Sequence, residues 1–298
     1  MDPRRVLVFR AVARAGSLSA AARELGTTQS AVSQQLSQLE REAGGPLLVR
    51  TSQGTRLTEA GTALLPRADA VHSALHLAGE ELGALASLRT GSVRLASFPS
   101  AAATLVPAAV RALRDDHSGV QVTLVEIEPP EAWTAVLAGD ADVALVFGYD
   151  GPPEDDGALS WVPLGIEPLH LVLPPDAGAP ARVGAAWLRE QGWVAGCERC
   201  RQHLVESCRA AGFEPRLLHE SDDYVVAQSL VAHGLGVTVL PQLALTAFRH
   251  PEVEVRPSSG FGERHVGMVH RPGAEGVPAI RALMERLQAG AARVLRPR

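Results

Sequence analysis

The run GSLSAAARELGTTQSAVSQQLSQLEREAGGPLLVR, residues 16–50, decides the fold of this chain's N-terminal region. Leu18 to Leu25 has helical spacing, Ser17 is placed to cap it and Gly26 to stop it, and TTQSAVSQQLSQLERE begins another helix almost at once. Upstream, Val6, Phe9 and Ala13 also repeat at helical spacing. Helix, glycine turn, helix is the helix-turn-helix signature, and its second member normally enters the DNA major groove. On that member Val32, Leu36 and Leu39 form an apolar stripe, while Gln29, Ser30, Ser33, Gln34 and Ser37 share an uncharged polar arc of roughly 140°. Glutamine can pair bidentately with adenine, and serine can donate to or accept from base edges, so these types suit direct readout. A polar arc alone would read as solvated surface; its place after a glycine turn reverses that. After Pro46, LLVRTSQGTRLT reads as a small hairpin about Ser52, Gln53 and Gly54. This is a wing, with Arg50 and Arg56 near its base to reach phosphate.

Further along, Thr58 is a plausible cap for a helix running towards Leu88. Leu64, Ala68, Val71, Leu75, Ala78, Leu82 and Leu85 alternate steps of four and three, the seam that pairs two helices in a coiled coil, so the segment reads as a dimerising linker. Beyond Thr90 the pattern changes to strand-like runs (93–97, 120–127, 143–147, 169–173, 237–241 and 265–269) alternating with helical segments. That alternation predicts a mostly parallel sheet, in two lobes, with ligand where strand ends meet helix N-termini.

The 298 residues carry a net charge of −5, but residues 1–66 hold 8 arginines against 5 acids, and the remainder 20 against 28. A basic end beside an acidic body suits one polyanion-facing domain. All 28 basic residues are arginine, which reads as coding bias. No run approaches the ~18 apolar residues of a membrane span, and Val6 to Phe9 is too short for a signal peptide, so a cytoplasmic protein without membrane association is expected. No GxSxG, Walker loop or HExxH is present, and GLGV at 234–237 reads as a helix C-terminal turn, so no enzyme is expected.

The opening run, followed by RLTEAG, resembles the N-terminal domain of LysR-type transcriptional regulators. The likeness continues through Pro107, GDADVALV near residue 140 and LVAHGLGVTVLP near 235. It implies an α/β protein: a winged helix-turn-helix over 1–58, a linker and dimerisation helix over 59–89, and a two-lobed effector domain over 90–298 shaped like a periplasmic binding protein. Lobe I would hold about 90–164 and 268–298, lobe II about 165–267. Leu48 replaces the family's usual phenylalanine, and Ser30 and Gln34 replace its frequent proline and arginine, so base preference should differ. The implied function is promoter binding modulated by a small effector, with no cofactor. Implied partners are double-stranded promoter DNA, the effector, further copies in a dimer and tetramer, and RNA polymerase as an additional candidate. The rival of another class is a solute-binding module without DNA binding, against which the first 66 residues argue.

By the same resemblance an effector, often a carboxylate, sits between the lobes at the helix after the first strand. Candidate contacts are Ser97, Pro99, Ser100, Glu128, Phe147 and Tyr149 from one lobe and Cys200, Arg201 and Gln202 from the other. Ser100 also reads as an N-cap. Cys197, Cys200, His203 and Cys208 lack the paired spacing of a zinc site, and no metal is expected. A redox-sensing regulator using Cys197, Cys200 and Cys208 stands as the alternative, because the family's peroxide-sensing branch carries two cysteines here and Arg199 and Arg201 could favour a thiolate. Cys200 and Cys208 would lie ~12 Å apart along a continuous helix, so bridging them requires unwinding.

Overall fold

The computed structural model describes residues 1–51, 54–85, 91–149, 151, 157–257 and 260–297, side chains 50 and 80–85 excepted. The chain opens with α1 (Pro3–Ala15), α2 (Leu18–Glu24) and α3 (Gln29–Ala43). Each begins where a short polar side chain accepts an otherwise unpaired backbone N–H: Asp2 from Arg4 (2.9 Å), Ser17 from Ala20 (3.2 Å) and Thr28 from Ala31 (3.2 Å). Their apolar faces meet around Phe9, Val12, Ala21, Val32, Leu39 and Leu47. Leu48, at the usual phenylalanine position, is buried in the same core.

The wing is formed by β1 (Leu48–Thr51) and β2 (Gly54–Leu57), antiparallel, with Leu48 opposite Leu57 and Thr51 opposite Gly54. Position 50 pairs with Thr55 and position 56 with Val49, so Arg56 lies one pair from the base, while Arg50 lies one pair from the turn and not near the base as expected. Ser52, Gln53 and the Arg50 side chain lie outside the described residues. Gly54, at φ +130°, backs onto α1: a Cβ there would meet Gly16 O at 2.5 Å, and the Thr55 N–H donates to that oxygen at 2.9 Å.

Thr58 Oγ1 accepts from the Gly61 N–H (3.0 Å) to cap α4 (Glu59–Leu85). Ala68 of the expected seam is buried in the helix-turn-helix core of the same chain and is not free for a partner, and Leu64 is partly buried against that core, because α1 lies against this end of α4. Val71 is half-buried, Leu75 is 56% exposed and Ala78 is exposed; the Leu82 and Leu85 side chains lie outside those described.

The C-terminal region contains β3 (Gly91–Ser97), α5 (Pro99–Asp116), β4 (Val120–Glu126), α6 (Pro129–Ala138), β5 (Val143–Gly148), β6 (Ser160–Leu173), α7 (Ala185–Leu188) and β7 (Gly192–Ala195). It continues with α8 (Glu198–Ala210), β8 (Arg216–Glu220), α9 (Tyr224–Ala232), β9 (Thr238–Pro241), α10 (Gln242–Ala247), β10 (Glu254–Pro257), β11 (Glu263–His270) and α11 (Pro278–Ala291). One sheet has the order β10-β6-β11-β5-β3-β4, with β9 also on β6, and β7 and β8 form a second, parallel pair.

The expected mostly parallel sheet is corrected to a mixed one. β3 is parallel to β4 and β5, but β11 is antiparallel to β5 and β6, and β6 to β9 and β10. The chain leaves one half along β6 and returns along β11, and an outward and a returning strand that pair must be antiparallel. GLGV forms the expected turn: Gly234 has φ +72° after α9, and at Gly236 a Cβ would meet Gly192 O at 2.8 Å, so the bare backbone lets β9 approach β7. Among the described residues no helix is long and apolar enough to cross a membrane.

Candidate functional site

On α3, Gln29, Ser30, Gln34 and Ser37 are exposed and Ser33 is partly so, while Val32, Leu36 and Leu39 on the opposite face are buried. Ser19 Oγ donates to Gln29 Oε1 at 3.2 Å, holding that amide against α2. Glu40 Oε1 accepts the N–H groups of Leu47 (2.9 Å) and Leu48 (3.2 Å), fixing the wing to the end of α3. A small exposed polar face on a rigid helix, beside a hairpin carrying exposed Arg56, can read base edges and hold phosphate together.

Between the halves of the C-terminal region lies a cavity of about 80 Å³. It is lined by residues from the starts of five helices: Pro99 and Ser100 (α5), Glu128 (before α6), Cys197 and Cys200 (α8), Tyr224 (α9) and Ala244 (α10). Phe98, Phe147, Tyr149, His203, Leu204 and Phe261 give it a largely apolar wall. Tyr149 stacks on His203 with ring centroids 3.7 Å apart, and Phe147 packs edge-on against Phe98 and Tyr149.

Sequence reasoning missed the residue at its centre. Arg264 on β11 is 3% exposed and donates to Glu167 Oε1 on β6 from Nε (2.9 Å) and Nη2 (2.5 Å), and from Nη2 to Ser100 Oγ (3.2 Å). Its guanidinium lies 4.1 Å from the Phe147 ring centroid. Burial works against its charge, but the Glu167 carboxylate together with Tyr149 and Cys200 outweighs it and raises the pKa. The other Glu167 oxygen accepts the Leu243 N–H at the start of α10 (2.8 Å). The outgoing strand β6 and the returning strand β11 are thus pinned where they cross between the halves. No local motif marks this pair; only the register of β6 against β11 brings the partners opposite each other.

Of the expected contacts, Pro99, Ser100, Glu128, Phe147, Tyr149 and Cys200 line the cavity, and Ser97, Arg201 and Gln202 do not. Ser97 is fully buried and donates to the Phe98 carbonyl, because it is the last residue of β3 and faces the sheet. Arg201 lies beside Glu220, and exposed Gln202 bonds Glu206, both on the outer side of α8. Ser100 is no N-cap: it is the second residue of α5, after Phe98, which caps without a side-chain bond, and Pro99. Burial raises the Glu128 carboxyl, against the pull of the neighbouring Cys197 thiol and Arg264, and its Oε2 has no hydrogen-bond partner among the described residues.

The cysteines divide. Cys208 is 0% exposed in an apolar cluster with Trp193 and Phe213, and burial pushes its thiol up to about 11. α8 is continuous through Cys200 and Cys208, while Cys197 and Cys200 meet with sulfurs 2.9 Å apart. The cation acting on Cys200 is Arg264, whereas Arg199 is engaged with the Phe147 carbonyl.

A third arrangement joins these regions. Arg10 of α1, 6% exposed, donates to Asp69 of α4 (2.9 Å), to the Ala138 carbonyl ending α6 (3.1 Å) and to Asp140 (2.5 Å). Gly139, at φ +75°, has no room for a Cβ against Ser73 of α4. Asp142 takes the Arg94 N–H and Nη2, both at 2.7 Å, and lies 3.1 Å from His76 of α4. Burial pushes its carboxyl up, but these His76 and Arg94 contacts outweigh it and hold it at about 2. The GDADVALV run is therefore the junction between the N-terminal and C-terminal regions.

Comparison with known proteins gives two family models, one described as a LysR substrate binding domain over residues 86–292 and one as a bacterial regulatory helix-turn-helix protein, lysR family, over residues 3–62. The chain is 28% identical over 291 residues to a probable HTH-type transcriptional regulator, LrrA, of Synechococcus elongatus, covering 97% of each chain. It is 34% identical over 248 residues to the small neutral protease regulatory protein of Streptomyces coelicolor, covering 80% of this chain and 73% of that one. The crystal structure of full-length CbnR complexed with its target DNA matches with a TM-score of 0.64 at 24% identity, over 97% of this chain and 100% of that one.

Proposed function

Because the chain belongs to the LysR family of transcriptional regulators, we propose that a small molecule in the Arg264 cavity controls how its helix-turn-helix holds promoter DNA, with α6 carrying the signal. The observation behind this reading is that α6, about 15 Å long, begins at cavity-lining Glu128 and ends on Ala138, whose carbonyl is held by Arg10 of the helix-turn-helix. A ligand can shift DNA binding only if it prefers one of two states, and a rod fixed at both ends supports such a difference.

In this reading residues 1–58 bind DNA, 59–89 link and dimerise, and 90–298 sense the effector, β6 and β11 dividing the two lobes. Gln29, Ser30, Ser33, Gln34 and Ser37 face bases, and Arg50 and Arg56 face phosphate. The cavity suits a small molecule with an apolar body, an acceptor for the leading N–H groups of α5 and a donor for the bare Glu128 oxygen. A simple anion fits less well, because Glu128 and Asp222 both line the cavity. Val71, Leu75 and Ala78 support a dimer along α4, and tetramer formation through the effector domains follows the family likeness. The protein acts in the cytoplasm, as a regulator and not an enzyme, with RNA polymerase as a further partner.

The test is operator and random-DNA binding by Gln34→Ala, with and without a panel of small metabolites. Loss of one good base contact should cost ~1 to 3 kcal/mol on the operator and much less on random DNA. Equal losses on both, or no metabolite that alters wild-type operator affinity, would overturn the reading.

A further inference from the structure

We propose that Cys197 and Cys200 form a redox-active dithiol in the cavity wall, which a small hydroperoxide converts to an intramolecular disulfide. Cys197 caps α8 and Cys200 is its third residue, with Sγ atoms 2.9 Å apart. Two residues three apart at a helix start lie about 5–6 Å apart at Cα, inside the range a disulfide needs, so the bond closes without unwinding the helix. Gly196 permits the approach: a Cβ there would come within 3.2 Å of Cys200 Cβ.

The surroundings divide the labour between the sulfurs. Cys200 is partly exposed and lines the cavity together with Tyr149 and Arg264, both of which favour its thiolate. The hydrogen bond from Cys197, with those two groups, outweighs burial and Glu128 and brings the Cys200 thiol down to about 7. Cys197 is buried and raised, because it keeps the shared proton and faces Glu128. The pair therefore loses its first proton as a unit near neutral pH, with the thiolate on Cys200.

The Cys200 thiolate attacks one peroxide oxygen; the O–O bond breaks, the leaving oxygen takes a proton as alcohol or water, and Cys200 becomes a sulfenic acid. Cys197 then attacks that sulfur; its proton passes to Glu128, whose Oε2 has no hydrogen-bond partner among the described residues, and from there to the departing hydroxyl, which leaves as water as the S–S bond forms. Two thiols supply the two electrons that reduce one hydroperoxide. Two equivalents of a low-molecular-weight thiol restore the dithiol. A cavity of about 80 Å³ admits an oxidant of that size. Cys208, in the apolar core, takes no part.

Trypsin provides the test, because it cuts after Arg199 and Arg201 and so separates the cysteines into peptides 190–199, 200–201 and 202–209. The full-length protein, treated with hydrogen peroxide, alkylated and digested, should yield 190–199 linked to 200–201, with Cys208 alkylated. Cys208→Ser should yield the same link, and Cys197→Ser should leave a sulfenic acid on Cys200 that dimedone traps. In the reduced protein at pH 7, Cys200 should be alkylated on the order of a hundredfold faster than Cys208. A link involving 202–209 would overturn the proposal. So would Cys197 and Cys200 both remaining free at peroxide exposures that oxidise an exposed control thiol.

Discussion

Replacing Arg10 with methionine keeps the length and apolar stem of the side chain while removing the charge that ties the helix-turn-helix to α4 and α6. Three hydrogen bonds disappear, to Asp69, the Ala138 carbonyl and Asp140. Their costs differ. Asp140 is half exposed and regains water, and Asp69 retains Arg14 at 2.7 Å, so neither becomes an isolated buried charge. The lost bonds to charged partners, worth ~1.5–3 kcal/mol each before this compensation, leave a net destabilisation of about 3 kcal/mol, the lower end for breaking a buried pair. Urea unfolding of Arg10→Met, Asp140→Asn and the double variant isolates the contact between regions, whose coupling should be about 1 kcal/mol, given the exposure of Asp140. A loss below ~0.5 kcal/mol in Arg10→Met together with strict additivity would show that Arg10 does not fasten α6 to the DNA-binding region.

Asp142 gives a pH dependence. Its folded pKa of about 2 lies below the ordinary 3.8, so its stabilisation is present above the unfolded value and is lost as pH falls through about 2. Its advantage over Asp142→Asn in thermal or urea unfolding should be about 2 kcal/mol near neutrality and shrink steadily below about pH 4; an advantage independent of pH would contradict the assignment. Leu75→Glu places a charge on the exposed part of the α4 seam and should dissociate the dimer in sedimentation, with weaker operator binding; an intact dimer at micromolar concentration would move the interface elsewhere. Ser100→Ala removes the hydroxyl that receives Arg264 and should lower the affinity of any metabolite found to act, about five- to tenfold in calorimetry, while ligand-free operator affinity stays within twofold. Unchanged metabolite affinity would remove Ser100 from the site.

The N-terminal region was legible because its determinants are local. Ser17, Thr28 and Thr58 accept the backbone N–H groups that a capping residue should, and the three-and-four spacing of Val32, Leu36 and Leu39 sorts α3 into a buried and an exposed face. Strand runs with continuous apolar character, such as Val143 to Phe147, were legible for the same reason. β7, β8 and β10 are short, and Arg216–Glu220 and Glu254–Pro257 carry charged residues on largely exposed and half-exposed strands, so neither alternation nor an apolar run marks them. The cavity was legible only along the chain segments that open α5, α6 and α8 and at the end of β5, where Phe147 and Tyr149 lie. Its central pair, Arg264 and Glu167, and the junction pair, Arg10 and Asp140, join residues 97 and 130 positions apart through strand register and helix packing, which no sequence window contains. The spacing of Cys197 and Cys200 was visible, but their significance depended on where α8 begins.

The most direct test of the account is hydrogen exchange across α6 in the full-length protein, free and bound to an operator fragment recovered from its own promoter by footprinting. Coupling between two sites is reciprocal, so if a cavity ligand acts on DNA through α6, DNA must act on α6 and on the cavity without any ligand being known. Operator binding is predicted to change exchange within 129–139 and around Tyr149 and Cys200, as well as in α3, and Arg10→Met should abolish the first two changes. Exchange differences confined to residues 1–58 would contradict the account.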